Sequence, residues 1–162
     1  MSPAMRLASL EEWFAIHNVF ISYATALDAC DIDGVLACFE PDCSLSSPIL
    51  GRFEGHAGIR AFAQRTVDLK CERNAQFRHV VSNLRAWVDG DRATARCYLL
   101  DFLTEDGRTE LLSPGEYSAD LKRRDGVWRL TRRDVAMDRG FSLPDALAAA
   151  RSDSAAPPTT KP

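Results

Sequence analysis

Four strand-like runs in the second half of the chain, joined by Asp- and Gly-containing turns, restrict the fold more than any other feature. They cover about residues 76–88, 93–104, 110–123 and 128–138. Asp89-Gly90-Asp91 and Arg124-Asp125-Gly126 are short turns of the hairpin type. Glu105-Asp106-Gly107-Arg108 does the same job between the middle two runs. Such turns join antiparallel neighbours, because a parallel pair needs a long crossover. Helical spacing is confined to the first half. Trp13, Ile16, Val19, Phe20, Tyr23, Ala24 and Leu27 recur at three and four residues, which predicts an apolar-striped helix over residues 10–29. Ser9 caps it, and Glu11 and Glu12 complement its dipole. A shorter helix is expected over 32–39, with Asp31 as cap and Pro41 as stop. Residues 43–50 read as a strand closed by Gly51, and 55–67 as a third helix through Ile59, Phe62 and Ala63. Helices followed by antiparallel strands make an α+β order.

At 162 residues the chain holds one domain with a sizeable core. The expected layout is a tail over 1–8, a domain over 9–143 and a C-terminal extension over 144–162. From Ser152 onward Ser, Ala, Pro and Thr dominate, so disorder is expected there. A net charge of −3 argues against nucleic acid or an anionic membrane as partner. No apolar run is long enough to span a bilayer, and the N-terminus lacks a secretory layout. The five cysteines have no CxxC spacing and read as reduced thiols in a cytoplasmic protein. No Cys or His pair has zinc-ligand spacing, so no metal site is expected.

His79 lies on the first strand run, where a histidine is either a core residue satisfied by a backbone bond or a base poised to move protons near neutral pH. Asp28 ends the first helix, where a carboxylate is costly to bury unless partnered. Asp101 alternates with Ala95, Cys97, Leu99 and Leu103, so an inward Asp101 must be paired or protonated. Arg133 alternates with Thr131, Val135 and Met137, the less polar side of the last run. Tyr23, on the apolar stripe, is a core tyrosine or a hydrogen-bond donor. His56 reads as a surface or capping residue and His17 as exposed or interfacial.

Several motifs in order resemble the NTF2-like superfamily in its SnoaL-like branch. They are Tyr23-x4-Asp28, then Asp31-x-Asp33-Gly34-Val35-Leu36-x-x-Phe39, then Phe53-Glu54-Gly55-His56-x-Gly58-Ile59. Arg78-His79-x-x-x-Asn83 and Arg124-Asp125-Gly126-x-Trp128-x-Leu130 complete the set. The resemblance implies a curved antiparallel sheet that forms a cone with N-terminal helices around an apolar cavity. Within that branch the chain is similar to the scytalone dehydratase, hexachlorocyclohexane dehydrochlorinase and bile-acid 7α-dehydratase lyases. Their Asp–His dyad falls on Asp28 and His79, and further polar positions fall on Tyr23, Asp101 and Arg133. Phe20, Phe53, Phe77, Val81 and Leu99 are expected on the substrate wall.

The resemblance implies a cofactor-independent lyase acting on a hydrophobic, hydroxylated cyclic or aromatic small molecule. Dehydration is the expected reaction, with a retro-aldol version using the same base. An isomerase or polyketide cyclase in the same cavity is the nearest alternative. The other is a non-catalytic binding or assembly subunit like those of ring-hydroxylating dioxygenases. A homo-oligomer is expected, trimer rather than dimer.

Overall fold

The computed structural model describes residues 5–141; residues 1–4 and 142–162, and with them the expected C-terminal extension, lie outside that range. Helix α1 (Leu10–Asp28) opens with a capping box. Ser9 Oγ accepts from the Glu12 N–H, and the Glu12 carboxylate accepts from the Ser9 N–H. Helix α2 (Ile32–Ala37) starts at Asp31, whose carboxylate accepts from the Gly34 N–H. It ends short of the expected residue 39 because Phe39 already belongs to strand β2 (Phe39–Ser47), beside Leu130. Pro41 therefore lies within a strand. It falls between the paired positions Phe39 and Ser44, where a missing N–H removes no ladder bond.

The expected strand over 43–50 stops at Ser47, and the chain turns back into β3 (Gly51–Glu54), which pairs antiparallel with β2. Helix α3 (Gly55–Glu72) runs beyond the expected residue 67. Strands β4 (Gln76–Asp89), β5 (Arg92–Glu105), β6 (Arg108–Arg124) and β7 (Val127–Met137) form the antiparallel meander. A two-residue strand, β1 (Arg6–Leu7), joins the far end of β4. The sheet order is β1-β4-β5-β6-β7-β2-β3, and β2 with β7 is its parallel pair.

Register shifts decide which side chains face the helices. Strict alternation would put Leu130 and Arg133 on opposite faces of β7. Consecutive residues Asp120 and Leu121 of β6 pair with Arg132 and Leu130, so Thr131 is an extra residue in β7 that lets Leu130 and Arg133 turn inward, and both are buried. A second shift, between Ser82 and Arg85, contains Asn83 at φ +56° and brings Leu84 onto the inner face with His79. Arg92-to-Glu105 alternation is kept, so Ala95, Cys97 and Leu99 are buried while Tyr98 and Leu100 are exposed on the outer face. The inner face packs against α1, α2 and α3 in one large apolar cluster. A smaller cluster holds Ala75, Phe77, Leu103 and Leu112 at the other end. A cavity separates the two.

Candidate active site

Three strands place polar residues side by side where the core should be apolar. His79 on β4 is paired with Asp101 on β5, and Asp101 with Ser113 on β6. All three line a cavity of about 370 Å³, together with Tyr23 of α1, Tyr117 of β6 and Arg133 of β7. Leu27, Phe62, Leu69, Phe77, Leu99 and Leu112 contribute apolar walls. A cavity of this volume is within the range that takes a small organic ligand.

Asp28 reaches this row from the end of α1. Near His79, β4 has no strand on its outer edge among the described residues, since β1 pairs only with Trp87 and Val88. The His79 N–H therefore needs another acceptor, and Asp28 Oδ2 supplies it at 3.1 Å. The other carboxylate oxygen, Oδ1, lies 2.6 Å from His79 Nδ1. Both oxygens thus hold one residue. A carboxylate is unfavourable at a helix C-terminus, and α1 has no basic residue in its last turn. Lys70 compensates from α3 by donating to the Asp28 carbonyl at 2.5 Å. An ionised Asp28 accepts only, so Nδ1 carries the proton and Nε2 is left as the basic nitrogen.

On the other side of the ring, His79 Nε2 is 3.5 Å from Asp101 Oδ1. Ser113 Oγ donates to Asp101 Oδ2 at 2.5 Å, while Oδ1 has no hydrogen-bond partner among the described residues. Burial pushes the Asp101 carboxyl up from its ordinary range, and His79, Ser113 and Arg133 offset part of that rise. A carboxyl whose folded pKa is raised stabilises the fold below its unfolded pKa and loses that contribution as pH rises through the folded one. Asp101→Asn removes this dependence. The melting temperature of Asp101→Asn relative to wild type should therefore be higher at about pH 7 than at about pH 4. Thermal melts of both proteins at the two pH values check this, and a pH-independent difference would remove the case for a raised Asp101.

Arg133 is 2% exposed. Its guanidinium carbon lies 4.6 Å from the Tyr23 ring centre and 4.4 Å from that of Tyr117. Its Nε and Nη1 have no hydrogen-bond partner among the described residues, nor does the Tyr23 hydroxyl. Burial pushes the Tyr23 phenol up to about 12, so near neutral pH it is a donor. Buried donors without acceptors are costly, and here they border a cavity that can admit an acceptor.

The structure thus brings Tyr23, Asp28, His79, Asp101 and Arg133 together, with Asp28 behind His79 rather than on the wall. Of the expected wall residues, Phe77 and Leu99 line the cavity. Phe20, Phe53 and Val81 do not. Phe20 lies a turn earlier on α1 than Tyr23 and is fully buried in the large cluster. Phe53 packs edge-on against Phe62, which takes the wall position. Val81 is packed against the same cluster as Leu84, towards the shift in β4. Ser113 and Tyr117 are site residues that the sequence reading missed. Alternation through Gly115, Ala119 and Leu121 marks their face of β6 as inward, and that signal was available. His56 and His17 stand apart: His56 Nε2 is 3.0 Å from the Phe39 carbonyl, and His17 stacks on Trp13.

The SnoaL-like domain family matches residues 8–134, which covers every element from α1 to most of β7. The chain belongs to the SnoaL-like family. Uncharacterised proteins of Mycobacterium tuberculosis and Mycobacterium bovis are 24% identical to this SnoaL-like protein over 132 residues, 80% of it and 87% of theirs. A presumptive aromatic ring hydroxylase from Novosphingobium aromaticivorans is 28% identical, with a TM-score of 0.72 over 86% of this chain and 99% of that one. A presumptive scytalone dehydratase from the same organism has a TM-score of 0.70 at 20% identity, over 83% of this chain and 91% of that one. At that identity the likeness is one of fold. An NTF2-like protein with a cystatin-like fold, also from that organism, is 22% identical with a TM-score of 0.72 over 86% of this chain and 88% of that one. This α+β domain, a curved antiparallel sheet with N-terminal helices, has the same fold.

Proposed function

We propose that this SnoaL-like protein is a lyase that eliminates water, or a comparable leaving group, from a hydrophobic ring compound using its own side chains. One observation carries the reading. His79 stands between two carboxyl groups, 2.6 Å from Asp28 and 3.5 Å from Asp101, on the wall of a largely apolar cavity. His79 Nε2 takes a proton from a substrate carbon, and the C–H electron pair forms the new double bond. The neighbouring C–O bond breaks, and its oxygen leaves as water with a proton from Asp101. The imidazolium then returns a proton to the Asp101 carboxylate beside it. Tyr23 and Arg133 donate towards an oxygen on which negative charge develops, in a setting where such donors act strongly.

Because base and acid lie on one wall, proton and leaving group depart from the same face of the ring. An opposite-face departure would need the two groups on opposite sides of the substrate. The same geometry also supports a second reading, an isomerase, since a proton held by His79 can return to a different substrate carbon.

A panel of hydroxylated and chlorinated ring compounds, incubated with the protein in heavy water, separates these readings by mass spectrometry. Elimination is expected to show loss of water or acid, with stereospecifically deuterated substrate losing the label on the face of the leaving group. Deuterium uptake without loss of a group would favour the isomerase. No binding by any ring compound would favour a non-catalytic subunit.

A further inference from the structure

Ser113 has no part in the steps above, although it shares the row with His79 and Asp101. Its hydroxyl has one hydrogen, and the geometry directs that hydrogen to Asp101 Oδ2. We infer that Ser113 is a positioning residue: by occupying Oδ2, it keeps the carboxyl proton of Asp101 on Oδ1, the oxygen beside His79. This deepens the elimination reading and rests on it for its catalytic consequence.

The donors in the row restrict the arrangements that satisfy them. Were the Asp101 proton on Oδ2, it would point at Ser113 Oγ, and the serine hydrogen would lose its acceptor. Ser113 is 4% exposed, so such an orphan has little water to turn to. With the proton on Oδ1, each hydrogen in the row has a destination. The serine hydrogen goes to Oδ2, and the carboxyl hydrogen sits on the His79 side of the cavity wall, on an oxygen 3.5 Å from Nε2, where a bound substrate oxygen can accept it. A register shift supports the arrangement: Asp101 pairs with Ser113 but Phe102 with Leu111, so Leu112 is the extra residue. Leu112 and Ser113 are both buried as a result, and Ser113 stays directly opposite Asp101.

The groups facing Asp101 come from every side: His79 on β4, Ser113 on β6, Arg133 on β7 and Asp28 on α1, with the Tyr23 and Tyr117 phenols. His79, Arg133 and Ser113 favour its charged form, whereas burial and Asp28 favour its neutral form. Loss of the serine donor tips that balance towards the neutral acid and frees its proton to settle on either oxygen.

The test needs no substrate. Protein labelled with 13C-aspartate and 15N-histidine is titrated by NMR, the Asp101 signal being identified by its loss in Asp101→Asn. Ser113→Ala is expected to move the Asp101 titration to higher pH and to change the His79 Nε2 shift. The Nδ1 proton shared with Asp28 should keep its position, and Ser113→Thr, which retains a hydroxyl, should restore both signals. Identical Asp101 titrations and Nε2 shifts in wild type and Ser113→Ala would overturn the inference. With a substrate from the panel, Ser113→Ala should lower kcat roughly tenfold at unchanged KM and move the high-pH limb upward. If wild type eliminates nothing, the lyase reading fails while the NMR comparison still decides the role of Ser113.

Discussion

Replacing His79 by alanine is expected to lower turnover by roughly 10²- to 10⁴-fold, the usual contribution of a positioned general base. His79 contributes both the basic Nε2 and a backbone N–H, and alanine removes only the first. The N–H that donates to Asp28 Oδ2 at 3.1 Å belongs to the main chain and survives. The side chain faces a cavity, so its loss enlarges existing space rather than opening a void in packed core. A thermal midpoint close to wild type is therefore expected together with the lost turnover. Kinetics on the substrate that emerges from the panel, alongside a melt, measure both. Wild-type turnover in His79→Ala would end the proposal that this histidine is the base.

Asp28→Asn is the sharper experiment, because it preserves shape and changes the direction of one hydrogen bond. The aspartate accepts twice, from the His79 N–H and from Nδ1. An asparagine can keep the first with its carbonyl oxygen, which leaves its NH2 facing Nδ1. Nδ1 must then be the acceptor, and the imidazole proton moves to Nε2. The nitrogen that should take the substrate proton is then already protonated. Turnover should fall by roughly 10²- to 10⁴-fold, comparable to loss of the base itself. The double variant His79→Ala with Asp28→Asn should be little worse than either alone, since the two act as one unit. The 15N shifts of the ring report the tautomer directly. A variant that keeps its Nδ1 proton and its activity would show that Asp28 is an anchor for β4 and no more.

Asp28 meets His79 because two unrelated local features come together. The Tyr23-x4-Asp28 spacing was legible in the chain, as was His79 on a strand. Nothing in local periodicity says that the end of α1 abuts a stretch of β4 that, among the described residues, has no strand on its outer edge. Tyr23 and Asp28 do not share a narrow helical face, yet both serve the site. Tyr23 points into the cavity, and Asp28 reaches His79 from the helix end. Alternation puts Arg133 on the inner face, as observed, but groups Thr131 with it where Leu130 belongs. The shift in β7 decides that difference. The three wall residues that do not line the cavity fail for a common reason. Hydrophobicity at an inward position marks burial, and burial alone does not distinguish core from cavity wall.

By itself, the amino-acid sequence determined the order of the three helices, β2 and the four meander strands, though not β1 or β3, together with the hairpin turns, the caps of α1 and α2, and the polar residues that an apolar interior would not otherwise hold. Those are local matters, set by periodicity over a few residues and by the chemistry of single side chains. Only the tertiary structure decided that His79, Asp101 and Ser113 form one row, that Asp28 closes it from behind, and that Arg133 is buried with donors left over. These depend on strand register and on where a helix ends against a sheet. Cross-strand neighbours here lie 22 residues apart for His79 and Asp101, and 51 separate His79 from Asp28. Pairings at such distances are selected by the packing of the whole domain, which no local spacing encodes.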